Sequence, residues 1–184
     1  FKTMDIIVPE KTIFSAQEPA ACGWYFTALG LLIDLTIKAL SPVLKEQSAA
    51  AHYGDSMVIT FAGHDPRTNT SFLDVEATAG GWGAFAANDG QSGLINNVNG
   101  DFKNLPIEVL EDKYPLKVTS YGLRPNSGGA GQNRGGLGIF KEYEVRTDEA
   151  NLYLWFERSK TPAWGLFGGE SGVPPQVTVK SANN

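Results

Sequence analysis

Apolar and polar positions along this chain alternate with a period of two in several short runs, the mark of strands with one face buried. The runs at 57–62 (MVITFA) and 71–78 (SFLDVEAT), joined by GHDPRTNT, predict a hairpin whose turn starts at Asp65-Pro66. Further strands are expected at 5–8, on both sides of a glycine-dense loop ending at 138, at 139–145, at 152–157 and, last, at 176–180. In NLYLWF both faces of the strand are apolar, which calls for cover on both sides. One stretch breaks the alternation: after Pro19, AACGWYFTALGLLIDLTIKAL is apolar on nearly every face, and Ser41-Pro42 should end it. It reads as a long buried helix over about 20–41. A shorter helix is expected over about 105–113, opened near Pro106 and capped by Asn104. The pattern gives an α+β class, mostly β, in a single domain over 1–184 with glycine-rich loops between strands.

The 184 residues suffice for one sizeable core, and 42% hydrophobic with 19% charged residues are ordinary globular values. A formal charge of −5 and no basic run argue against a nucleic-acid surface. The uncharged apolar run of the long helix stops at Asp34, short of the roughly 20 residues a bilayer needs, and Lys38 one turn later adds a polar stripe, so a membrane span is not expected. A single cysteine, Cys22, suits a reducing compartment, and no basic-then-apolar leader precedes it; the cytoplasm is the expected location.

Candidate chemistry concentrates in loops. Seven glycines fall between Gly122 and Gly138, around the lone Arg134, whose planar fork of donors suits a carboxylate or phosphate. The backbone of Gly128, Gly129, Gly135 and Gly136 could bind an anion with it or lock a loop; tight turns and an ordinary ion pair are the plainer alternative. Asp65 and Arg67 read first as turn chemistry. Asp74 and Glu76 share a strand face, as an acid pair, a cation site or a solvated surface. Glu108 and Glu111 lie three apart on the short helix, with Glu108 placed to complement its dipole. GGAGQNRGG matches neither dinucleotide nor P-loop spacing, no nucleophile elbow occurs, and His52 and His64 form no ligand-spaced pair. A self-contained active-site signature is missing, so chemistry is expected to be shared with other polypeptide.

Taken in order, GHDPRTNTSFLDVEATAGGWGA, DGQSG, GDFKNLPIEVLEDKYPLKV, YGLRPNSGGAGQNRGG and WGLFGGESG resemble the C-terminal part of the hydantoinase B family. That family includes B-type subunits or domains of N-methylhydantoinase, 5-oxoprolinase and the acetone and acetophenone carboxylases. The resemblance implies a cytoplasmic hetero-oligomer with an A-type ATPase subunit that binds ATP and Mg, acting on a small-molecule substrate by cyclic amide hydrolysis or by ketone carboxylation. It implies that a divalent metal site belongs to an N-terminal half with no counterpart here, so no metal ligand is assigned, and that this chain is the C-terminal portion of a larger subunit. Arg134, the four glycines, Asp65, Arg67, Glu76, Asp101, Asn104, Glu108 and Glu111 are the residues expected to hold or line the shared site. One departure is Asn126, where the common pattern has aspartate before SGG.

Overall fold

A computed structural model describes residues 7–23, 27–100 and 102–181. The expected class holds: two α-helices and five strands in two antiparallel sheets. Helix α1 (Thr27–Leu44) leads, after which come β1 (Val58–Asp65), β2 (Thr70–Glu76), α2 (Ile107–Lys113), β3 (Leu116–Leu123), β4 (Ile139–Val145) and β5 (Ala150–Trp155).

The hairpin forms as its pattern requires, with Phe61 opposite Asp74 and Asp65 opposite Thr70. Asn69 sits at φ 58°, a left-handed conformation asparagine tolerates, and closes a tighter turn than the connection suggests. Strand β5 does not pair with β4, although a short turn separates them. It adds to β1 instead, giving the order β2-β1-β5, while β3 and β4 form their own ribbon with a register shift between Val118 and Ser120. The core lies between the two sheets and α2. Phe61, Phe72, Leu110 and Leu116 are buried together, with the Phe61 ring tilted against Tyr143 at 5.0 Å and the Phe72 ring tilted against Tyr114 at 6.2 Å.

Several boundaries are corrected. Helix α1 is shifted toward the C-terminus, residues 20–23 are not helical, and 24–26 fall outside the described residues. Pro42 lies inside the helix rather than beyond it. Its missing N–H would have bonded the Lys38 carbonyl, and the Ser41 hydroxyl donates to that carbonyl at 2.8 Å instead. The strand expected at 5–8 lies partly outside the described residues, and Ile7 and Val8 are exposed and irregular. Residues 176–180 form no strand, because no neighbour pairs with them among the described residues. The two-sided cover expected for NLYLWF does not form: Leu152 to Trp155 are exposed on both faces of the strand.

Candidate functional site

Three glycine-rich loops, 79–93, 124–138 and 163–173, close on one another along one wall of an open cleft of about 2040 Å³. They meet backbone to backbone. Gly136 N–H donates to the Trp82 carbonyl at 2.8 Å, Gly90 N–H to Arg134 at 2.8 Å, Gly93 N–H to Leu137 at 3.1 Å and Glu170 N–H to Ala130 at 2.7 Å. Such approach excludes side chains: a Cβ on Gly136 would lie 1.9 Å from the Gln91 carbonyl, and one on Gly129 2.1 Å from that of Glu170. Ser127 fixes the near end of the second loop, donating to the Arg124 carbonyl at 2.7 Å while its Oγ accepts from Gly138 N–H at 2.9 Å. Asn126 stands there at φ 59°, so asparagine in place of aspartate suits the turn.

The four expected glycines therefore lock loops together, and the N–H groups of Gly135 and Gly136 are already spent on Gly129 and Trp82 carbonyls. Arg134 differs. Its main chain is held at both ends, its N–H donating to Asp89 Oδ1 at 2.7 Å, yet its side chain is exposed. Its guanidinium touches its own Gly135 carbonyl at 3.1 Å and lies 3.9 Å from the Asp89 carboxylate. A rigid backbone thus presents a lightly engaged guanidinium.

The other expected residues divide by location. Asp65 is buried and accepts from Arg67 through its main-chain N–H, Nε and Nη2 at 2.8–3.2 Å, while Arg67 Nη1 donates to the Glu111 carbonyl at 3.0 Å. The Arg67 hydrogen bonds hold the Asp65 carboxyl below its ordinary range. Glu111 in turn accepts from Val118 N–H at 3.0 Å, tying α2 to β3. This group clasps the hairpin to α2 and stands apart from the glycine wall. Glu108 is exposed in the first turn of α2, so the two glutamates do not act together. Asn104 does not cap α2; it donates to Tyr121 Oη at 2.8 Å, and Pro106 occupies the cap position. Asp101 lies outside the described residues.

Asp74 and Glu76 both turn inward, correcting the solvated-face alternative. Glu76 accepts from Lys141 Nζ at 2.6 and 2.8 Å and from Tyr143 Oη at 2.6 Å, and Lys141 and Tyr143 both line the cleft. Burial, reinforced by this bond to Glu76, pushes the Tyr143 phenol far above its usual range. Burial and the neighbouring Glu76 charge raise the Asp74 carboxyl, whose Oδ2 has no hydrogen-bond partner among the described residues.

A second buried polar group was not singled out by the pattern. Asp34 of α1 accepts on one oxygen from His52 N–H at 3.1 Å, His52 Nδ1 at 2.7 Å and Arg158 Nη2 at 2.6 Å, and all three residues are buried. This geometry places the His52 proton on Nδ1. Arg158 holds φ 58°, a strained conformation for a residue with a side chain, and its guanidinium stacks on Trp164 at 4.6 Å beside Lys38 at 4.4 Å. A lone aspartate in an apolar helix was the available signal. The set does not suit a cation, because Arg158 already occupies the face of Asp34 where one would bind. Among the described residues no group of three or more His, Cys, Asp or Glu side chains gathers as a metal site, and no helix is long and apolar enough to cross a membrane.

The profile of the family described as Hydantoinase B/oxoprolinase matches residues 1–184. The chain belongs to that family. An uncharacterised protein of Methanocaldococcus jannaschii is 34% identical over 175 residues, covering 94% of this chain and 30% of its own length. The caprolactamase subunit beta of Pseudomonas jessenii is 31% identical over 175 residues, covering 89% of this chain and 29% of its own. A nucleotide-free structure of acetone carboxylase, described under the mechanism of ATP-dependent acetone carboxylation, shares the fold with a TM-score of 0.58. It is 23% identical, over 68% of this chain and 17% of that one. This member of the hydantoinase B family therefore spans less than a third of the length of these relatives.

Proposed function

We propose that this chain is part of the B-type subunit of an ATP-dependent enzyme that opens a cyclic amide by hydrolysis, in a hetero-oligomer with an A-type ATPase subunit that holds ATP and Mg. The observation that carries this reading is the match along 89% of the chain to a subunit named for caprolactam, a ring amide. The site is shared: the glycine loops line a cleft for the substrate or a neighbouring surface, and the same second loop presents the exposed Arg134 guanidinium outside that lining. Phosphoryl transfer belongs to the ATPase subunit, since nothing in this chain has the form of a phosphate-binding loop. What these residues supply is placement. Arg134 is fixed through its backbone and is free to pair with a carboxylate or phosphate oxygen on the substrate or across the subunit boundary.

The test uses the assembled enzyme with hydantoin, oxoproline, a lactam, or ketone plus bicarbonate, measuring ADP release and product together. ADP release coupled to ring opening is the expected result; turnover of ketone and bicarbonate alone would assign carboxylation instead. Arg134→Ala is expected to lower kcat/KM by roughly ten- to a hundredfold, the worth of one charged hydrogen bond, in a complex of unchanged mass. Unchanged kinetics with weakened assembly would make the segment an assembly module.

A further inference from the structure

Helix α1 leaves a broad apolar face uncovered. Its fully buried residues are Gly30, Asp34 and Ser41, none of them a large apolar side chain, and Ile33, Ile37 and Leu44 are half-buried beside them on the same face. Its docking includes a polar anchor, the bonds from His52 and Arg158 to Asp34. Opposite them Leu29, Leu32, Leu35, Leu40 and Val43 are exposed, Val43 to 80%. At 100° per residue these five fall within an arc of about 140°, as wide as the apolar face a globular helix normally buries. Thr36 and Ala39 lie in the middle of the arc and do not interrupt it. The Thr36 hydroxyl donates to the Leu32 carbonyl at 2.8 Å, so it asks nothing of water. Small residues between leucine ridges form a groove into which a second helix can settle.

We propose that this stripe seats an apolar helix from the part of a full-length B-type subunit that these residues do not include. The inference rests on the reading above that the chain is a portion of such a subunit, whose relatives are more than three times as long. Length favours this occupant over a separate molecule. Five side chains, four of them already more than half covered, expose less than the roughly 600 Å² per partner that stable complexes of separate chains bury. A segment of the same polypeptide needs no such area, because the connection holds it at high effective concentration.

The test is made in the complete subunit with every native cysteine, Cys22 included, replaced by serine as background and Val43→Cys or, should that variant misfold, Leu40→Cys. The introduced thiol is labelled with a maleimide in native and urea-unfolded protein, with the mass of the native species measured alongside. Labelling at least about tenfold slower in a monomeric native subunit than in the unfolded chain is expected. Labelling at the unfolded rate would overturn the proposal. So would protection that appears only as subunits dimerise, or only when the ATPase subunit is added, since either names a different occupant. Ring-opening activity of the unmodified enzyme is measured separately, so loss of the functional reading leaves the labelling result standing on its own.

Discussion

A single carboxylate oxygen of Asp34 gathers three donors from residues 18 and 124 positions away, so the attachment of α1 depends on one buried charge. Removing a partner from such a group leaves the other charge buried and unpaired, whereas removing both need not. Asp34→Leu is expected to destabilise by about 3–5 kcal/mol in urea unfolding, and Asp34→Leu with Arg158→Met by clearly less than the sum of the single changes. Two other acids respond to pH with opposite signs. The Asp65 carboxyl is lowered by Arg67, so its contribution is present above the ordinary carboxylate value and is lost as pH falls through the lowered one. Asp65→Asn should flatten the acid limb of a stability–pH curve. The Asp74 carboxyl is raised by burial and by Glu76, so the folded state binds its proton more readily and the charge opposes folding at neutral pH. Asp74→Asn should stabilise at pH 7 by on the order of 1 kcal/mol, an advantage that shrinks as pH falls through the raised value and Asp74 takes up its proton in the parent. The sequence showed Asp74 and Glu76 sharing a face, yet gave no means of telling that Lys141 and Tyr143, more than 60 residues on, would enclose them.

At the scale of elements, period-two patterns located β1, β2, β4 and β5 to within a few residues because each strand has an apolar row, but pairing was not legible in them. A short turn joins β4 and β5, yet β5 pairs with the free edge of β1. The long helix misled for a different reason. Apolar residues on all sides read as burial on all sides, whereas one face, with Gly30, Asp34 and Ser41 fully buried and Ile33, Ile37 and Leu44 half-buried, docks, and Leu29, Leu32, Leu35, Leu40 and Val43 stay exposed. The glycine loops were legible as surfaces of close approach, and what approaches them is one another. Gly136→Ala is therefore expected to cost about 1–3 kcal/mol or more, as a methyl pressed into the Gln91 carbonyl separates the 79–93 and 124–138 loops. The check is paired: hydrogen exchange at Gly90 and Gly93 should accelerate more than at Phe61 in the core. Uniform acceleration would show that the loops do not open as a unit.

For the whole molecule, the ordered motifs placed the chain in its family from sequence, while the unpartnered surfaces are visible only in the fold. Strand β5 is an edge of its sheet, its far side pairs with no strand among the described residues, and Tyr153 is 53% exposed upon it. An open, apolar edge is a template for pairing with another chain. Isolated, the chain should self-associate with rising concentration, read by light scattering. Tyr153→Lys should suppress this without lowering the urea midpoint, because a lysine on an exposed edge repels its copy and displaces no buried contact. Suppression by Val43→Lys with no effect of Tyr153→Lys would move the association from the sheet edge to the helix stripe.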